Sequence, residues 1–153
     1  MKNYFITDFS NLLFQAAFKE YFSELGVNVK DWDGLFREMN EDEGTAAFLR
    51  MEENGSVIGF IQFQKGEMKH WFFSESIGFI REFWVSAKFR GQGQGTGLLE
   101  LAENYFVENN ICKAILTTDT TPEFYLKRGY IRDCSYQAKN EDEVFVKLLK
   151  QAE

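Results

Sequence analysis

The sequence predicts an α/β domain built on one mixed β-sheet with helices on its faces, and three observations predict it. An apolar, strand-like run over residues 80–85 leads through a glycine-rich loop into a helix-like run over 98–107, and another strand-like run follows at 111–117. Strand, loop, helix and strand in that order form the crossover that two parallel strands require. Asn54-Gly55 stands between two runs of β character, a strong signal for an antiparallel hairpin. Residues 9–25 carry apolar side chains at helical spacing instead.

Taken in order, the chain opens with a short strand over 2–6. Thr7 and Asp8 are helix-start residues, so a helix is expected over about 9–25, with Phe9, Leu12, Leu13, Ala16, Ala17, Phe18, Tyr21, Phe22 and Leu25 on its apolar face. A shorter helix is expected over 31–39. Strands at 45–51 and 56–63 flank the hairpin turn Glu52-Glu53-Asn54-Gly55. A strand over 78–85 runs into the glycine loop. In the helix behind it Leu98, Leu101, Ala102, Tyr105 and Phe106 form one apolar face that ends near Asn109-Asn110. A strand over 111–117, a short helix over 122–128 and strands near 130–137 and 143–149 complete the reading.

Composition agrees with one compact domain over residues 1–153. A chain of 153 residues buries roughly 68–70% of its unfolded surface, enough for one core. Hydrophobic content of 44%, with 17% aromatic, excludes disorder. The single proline, Pro122, and the lack of a Ser/Pro-rich stretch argue against a linker. No run approaches 18 apolar residues and residues 1–8 lack a signal-peptide core, so no membrane association and a cytoplasmic location are expected. Two cysteines, Cys112 and Cys134, and one histidine, His70, supply no metal-ligand set; the expectation is no metal and reduced, structural cysteines. A net charge of −7 argues against nucleic acid. The acidic clusters Glu41-Asp42-Glu43, Glu52-Glu53 and Glu141-Asp142-Glu143 read as solvated surface, or as a field that draws in a cationic amine.

The most informative stretch is Arg90-Gly91-Gln92-Gly93-Gln94-Gly95-Thr96-Gly97-Leu98-Leu99. Glycine permits positive φ and close backbone approach, and a helix N-terminus offers unpaired N–H groups at the positive end of the dipole. Together they make an anion site suited to phosphate or pyrophosphate; a glycine-rich turn with no ligand is the alternative. A Walker A loop needs a Lys-Ser/Thr pair after its last glycine, whereas Gly95 is followed by Thr96-Gly97. A G-x-G-x-x-G fingerprint needs glycine at 96 or 98, which hold Thr96 and Leu98. The pattern [Q/R]-x-x-G-x-[G/A] fits in full on Arg90, Gly93 and Gly95. Lys88 and Arg90 set local positive charge beside the glycines of an acidic chain.

That pattern resembles the acyl-CoA loop of the GNAT (N-acetyltransferase) superfamily. The run Phe79-Ile80-Arg81-Glu82-Phe83-Trp84-Val85-Ser86-Ala87-Lys88-Phe89-Arg90-Gly91 is similar to the strand and loop that precede it there, without the proline often found near Ala87. Phe124-Tyr125-Leu126-Lys127-Arg128-Gly129-Tyr130 is similar to the family's F-Y-x-x-x-G-[FY] signature. The Asn-x-x-Ala or small residue that usually precedes it is replaced by Thr118, Asp119, Thr120 and Thr121-Pro122. The resemblance covers residues 77–130 strongly and the remainder through element order. It implies a mostly antiparallel, twisted sheet of about six to seven strands with helices on both faces, and acetyl-CoA as co-substrate. It also implies that the strands before and after the loop splay apart, so that the peptide groups of Phe83, Trp84 and Val85 bind pantetheine. Arg90 opens the motif, and the amides of Gly91, Gln92, Gly93, Gln94, Gly95 and Thr96 hold the pyrophosphate.

By the same resemblance Tyr125 donates a proton to the departing thiolate. A phenol of pKa about 10 and a thiol of about 8.5 are close enough for hydrogen-bonded donation. The plainer reading of Tyr125 is aromatic packing, as for Phe124. Glu82, on the strand lining the cleft, is the first choice for the base that takes the amine proton; a surface ion pair with a cation such as Arg81 is its alternative.

His70, Trp71, Phe72 and Phe73 read as a strand packed on the core, with an acceptor pocket or a homodimer contact as the other readings. The function expected is transfer of acetyl from acetyl-CoA to a primary amine by direct attack in a ternary complex, with no metal. A non-catalytic acyl-CoA-binding sensor is the alternative, and an NAD-linked oxidoreductase is disfavoured by the failed fingerprint. The acceptor stays open among polyamines, aminoglycosides, amino acids, peptide N-termini and protein lysines.

Overall fold

The computed structural model describes residues 1–69 and 71–150. Seven strands, β1 (Lys2–Ile6), β2 (Thr45–Met51), β3 (Val57–Lys69), β4 (Ser74–Val85), β5 (Lys113–Thr118), β6 (Ile131–Arg132) and β7 (Glu143–Leu148), form one sheet in the order β1-β2-β3-β4-β5-β7-β6. Every neighbouring pair is antiparallel except β4 and β5. Helices α1 (Leu12–Leu25) and α2 (Trp32–Glu41) cover one face, where Phe14, Phe18 and Phe36 pack with Phe60 and Trp84. Helix α3 (Gln94–Glu108) covers the other, where Leu98, Ala102 and Phe106 pack with Ile61, Phe63 and Ile80; Tyr125 of α4 (Pro122–Leu126) joins this cluster. Phe60 and Ile61 enter opposite cores because successive strand residues face opposite ways. Among the described residues no helix is long and apolar enough to cross a membrane.

Helix α1 begins later than residues 7–9 suggest. Asn11 is its cap, accepting from the Phe14 N–H at 3.0 Å, while the Asp8 carboxylate is taken by Ser10. Phe9 therefore stays outside the helix, although it is fully buried. The buried face runs through Phe14, Ala17 and Phe18, and Leu12, Leu13 and Leu25 are exposed. Docking of the Phe14 and Phe18 rings on Phe60, at 5.2 and 5.6 Å, sets this rotation. Aromatic rings bury more area than leucines do, so the helix turns them inward.

The β3–β4 hairpin is longer than expected at both arms, and its tip is not a core strand. Trp71, Phe72 and Phe73 are 96%, 86% and 76% exposed, since the paired arm from Lys65 to Lys69 and Ser74 to Gly78 runs out to this tip. His70 lies outside the described residues. The strand expected over 130–137 shrinks to Ile131–Arg132, because Asp133 folds back to accept from the Ser135 N–H and hydroxyl. The short helix ends at Leu126, and the chain turns through Gly129 at φ 92°.

Two features of β4 create the site. Gln62 of β3 pairs with Glu82 and Phe63 with Ile80, so Arg81 is the extra residue of a β-bulge that bends β4 and increases its local twist. Parallel pairing of β4 with β5 joins only Gly78 to Ala114 and Phe79 to Ile115. Gly78 is needed there, as a Cβ would lie 2.5 Å from the Phe106 ring of α3. Beyond Phe79 the two strands part.

Candidate active site

The glycine loop forms an open cradle. Gly91 and Gly93 hold φ of 75° and 80°, and a Cβ built on either meets nothing within 4 Å. Gly93 caps α3, whose first backbone bond runs from the Gly97 N–H to the Gly93 carbonyl. The N–H groups of Gln94, Gly95 and Thr96 therefore precede the first helical donor, have no acceptor within the helix, and lie at the positive end of the dipole. Two buried or braced arginines add positive charge. Arg50 of β2 donates to the Gln94 side chain at 2.9 Å and lies beneath Gly97. Arg128 donates to the Thr96 hydroxyl at 2.8 Å and to the Phe124 carbonyl, with its guanidinium 3.8 Å above the Phe124 ring. These residues fit a diphosphate: small backbone, unpaired amides and cations at one helix end.

From the cradle a cavity of about 400 Å³ runs along β4, lined by Phe83, Val85, Gly95, Phe124, Tyr125 and Arg128 among others. The Ser86 N–H bonds the Ile58 carbonyl of β3 at 2.8 Å. Peptide groups alternate in direction along an antiparallel strand, so those of Phe83 and Val85 face away from β3, into the gap left by β5. Trp84 also lines the cavity, but its peptide group departs from the expected direction. Its carbonyl faces β3, only 2.3 Å from where a Gly59 Cβ would sit, and its ring packs in the other core beside Phe60.

The Arg90 side chain is fastened at the rim: Nε donates to the Val85 carbonyl at 2.9 Å and Nη2 to both oxygens of Glu24. Trp84 Nε1 donates to the same carboxylate. Both bonds hold the Glu24 carboxyl below its usual range, the Trp84 bond most strongly. Gln92 turns its side chain back to the Lys88 carbonyl and does not line the cavity, unlike Gly91, Gly93, Gln94, Gly95 and Thr96.

Tyr125 is buried, and its hydroxyl has no hydrogen-bond partner among the described residues; burial pushes its pKa up to about 12. It remains a proton-bearing donor at the wall of the cavity it lines. Glu82 lies on the opposite face of β4 and does not line this cavity. Its Oε2 accepts from the Tyr21 hydroxyl at 2.6 Å. Burial raises the Glu82 pKa, offset in part by the Tyr21 bond and the Arg81 charge. Arg81 itself is paired with Asp42, so the surface ion pair offered as an alternative for Glu82 is formed by Asp42 instead. Tyr21 is the hydrogen-bond partner that the fold brings to Glu82.

Sequence reasoning missed Tyr21, Arg50 and Arg128 as site residues. Arg128 stands at an unspecified position of the F-Y-x-x-x-G-[FY] signature, and a cation there was a readable signal. Tyr21 was legible only as one apolar position on a helix. Arg50 stands inside an otherwise apolar strand run, next to its last residue Met51, and was given no role there.

A parted parallel pair in a seven-stranded, mostly antiparallel sheet, with a glycine cradle at its mouth, is the architecture of an acetyltransferase. Residues 6–130 match the acetyltransferase (GNAT) family, and the chain belongs to it. The fold is shared with a predicted acetyltransferase from Clostridium acetobutylicum, solved with acetyl-CoA, at a TM-score of 0.73 and 20% identity, covering 90% of this chain and 94% of that one. It is also shared with a GNAT-family acetyltransferase from Staphylococcus aureus, at a TM-score of 0.72 and 16% identity, covering 97% and 100%. A chain of the NatC complex bound to Gag peptide and CoA aligns at a TM-score of 0.67 and 20% identity, over 98% and 100%. Among curated proteins none is similar enough in sequence to count as a match.

Proposed function

We propose that this chain transfers an acetyl group from acetyl-CoA to a primary amine by direct attack in a ternary complex. The observation that carries the proposal is the arrangement around β4: an unpaired strand edge and the Tyr125 hydroxyl on one side, and the half-buried Glu82–Tyr21 pair on the other. The co-substrate supplies an activated thioester. Amides of Gln94, Gly95 and Thr96, with Arg128 beside them, hold its diphosphate, and the outward peptide group of Phe83 and the N–H of Val85, whose carbonyl Arg90 already holds, bind its amide-bearing arm.

A lysine-like ammonium has a pKa of about 10.4, so freeing its lone pair at neutral pH costs on the order of 4–5 kcal/mol. Glu82 takes that proton, directly or through a water. Its raised pKa makes it a stronger base than a solvated carboxylate and narrows the gap. As the C–N bond forms and the C–S bond breaks, the nitrogen loses its second proton to solvent. The sulfur leaves as a thiolate facing Tyr125. With the phenol near 12 and a thiol near 8.5, complete transfer is uphill by roughly 5 kcal/mol, so Tyr125 stabilises the departing charge as a hydrogen-bond donor.

The test is release of free thiol from acetyl-CoA across a panel of amines, beside thermal stabilisation by coenzyme A. Stabilisation without thiol release from any amine would make the chain a binding module instead.

A further inference from the structure

On the α1–α2 side of the sheet lies a second cavity, of about 340 Å³, that reaches Glu82 from the face opposite the cofactor cleft. Its walls are apolar: Phe18 and Phe22 of α1, Leu35 and Met39 of α2. Its rim is acidic. Glu38, Glu41 and Asp42 are neighbours at the C-terminal end of α2, at spacings of three and four residues that place them on one side of the helix. Among the described residues the one cation lining the cavity, Arg81, is neutralised by Asp42, which also accepts from Gln64. Glu38 and Glu41 have no ion-pair partner among the described residues. Two carboxylates at the rim therefore stand unpaired among the described residues, and Glu82 within has only the Tyr21 hydroxyl as a hydrogen-bond partner.

An acidic rim alone is ordinary surface. Gln62 makes this one different. It lines the same cavity as the cross-strand partner of Glu82, it is 0% exposed, and neither Oε1 nor Nε2 has a hydrogen-bond partner among the described residues. A buried primary amide with two donors and two acceptor lone pairs unmet is destabilising by itself, since its desolvation is not repaid within the chain. Held beside the carboxylate proposed to receive a proton, it is a group kept for a polar ligand. An amine nitrogen at Glu82 can donate to the Gln62 carbonyl, which no neighbour now uses.

From these observations we infer that the acceptor is an amine bearing a second positive charge, joined to the first by a short apolar chain. The reacting nitrogen lies against Glu82 and Gln62, the methylenes lie between Phe18, Phe22, Leu35 and Met39, and the far ammonium lies among Glu38 and Glu41. This deepens the acetyl-transfer reading and rests on it for the chemistry, though the binding site stands apart from it. The same geometry disfavours amino acids as acceptors, because an α-carboxylate would enter a field of three carboxylates.

The probes are 1,4-diaminobutane and n-butylamine, equal in carbon count and different in one charge. Initial rates with acetyl-CoA and calorimetric binding to the coenzyme A-saturated protein are measured for both. The diamine should exceed the monoamine in kcat/KM by on the order of ten-fold in low salt, an advantage that shrinks as salt screens the exposed rim. The double variant E38Q/E41Q should remove that advantage, with coenzyme A stabilisation intact as the control for folding. Gln62→Leu should melt at higher temperature, yet bind both amines more weakly. Equal kcat/KM for the two amines, or a diamine preference that survives E38Q/E41Q, overturns the inference. If neither amine releases thiol but the diamine binds and E38Q/E41Q abolishes binding, the groove is assigned correctly and the acetyl-transfer reading fails. If neither amine reacts or binds, the groove assignment is refuted.

Discussion

Tyr21→Phe isolates the one hydrogen bond that tunes the proposed base. Tyr21 donates to Glu82 Oε2 at 2.6 Å, and its ring lies 5.6 Å from Phe60 and 5.7 Å from Phe18. Phenylalanine keeps those contacts and removes only the hydroxyl. A hydrogen bond to an ionised, partly buried carboxylate contributes about 1.5–3 kcal/mol, and all of it favours the charged form. Losing it raises a pKa that burial already holds above the ordinary carboxylate value. The base acts deprotonated, so kcat/KM falls as pH drops through the Glu82 pKa, and the variant's acidic limb moves to higher pH. On that limb, at fixed pH, kcat/KM should fall roughly 10- to 100-fold, with little change on the alkaline side. The assay is kcat/KM for the amine against pH at saturating acetyl-CoA, with coenzyme A-induced stabilisation as a control. An acidic limb that stays in place, or an equal loss at every pH, would refute the tuning role.

Three other substitutions test the remaining parts of the site. Glu82→Gln should abolish the acidic limb and stabilise the fold at pH 7–8, because a carboxyl whose folded pKa is raised contributes stability at low pH that is lost as pH rises through that pKa; the two proteins should converge below about pH 4, by thermal melts at both ends. Tyr125→Phe should lower turnover on the order of 10²-fold, about 3 kcal/mol, with cofactor affinity and Tm nearly unchanged, whereas wild-type turnover at saturating amine would return Tyr125 to packing. Gly95→Leu places its Cβ 3.4 Å from the Phe124 ring and fills the cleft at a helical position, so the fold survives while coenzyme A stabilisation is lost. At ligand near 100 Kd that stabilisation is about 2.7 kcal/mol in the wild type, or roughly 5–10 °C in Tm for a chain of this size, and an equal shift in the variant would displace the cofactor from this loop.

The features legible in the sequence lay within short stretches of chain, although two equally local ones, the Asn11 cap of α1 and the Asp133–Ser135 turn, were missed. The Asn54-Gly55 turn, the α3 cradle with its amides at Gln94 to Thr96, and the spaced signature ending at Gly129-Tyr130 were legible because a turn, a helix N-terminus and a loop are specified by neighbours in sequence. Side-chain partnership across the fold was not. The rotation of α1, which buries Phe14 and exposes Leu12 and Leu13, follows from docking on Phe60, a residue 46 positions after Phe14. The direction of the Trp84 peptide group depends on its β3 partner, and the bulge at Arg81 depends on the register of two strands.

The pairing of the proposed base shows the same division. Glu82 could be chosen from its strand, but its partner Tyr21 lies 61 residues away, and only packing of α1 on β4 brings them together. Arg50 reaches the glycine loop across 44 residues, and the isolation of the Gln62 amide cannot be read from any window of sequence. Local backbone form follows from local sterics and hydrogen bonding. Desolvation, charge proximity and unmet hydrogen bonds, which turn a carboxylate into a base and a groove into a binding site, depend on which distant side chains the fold places together.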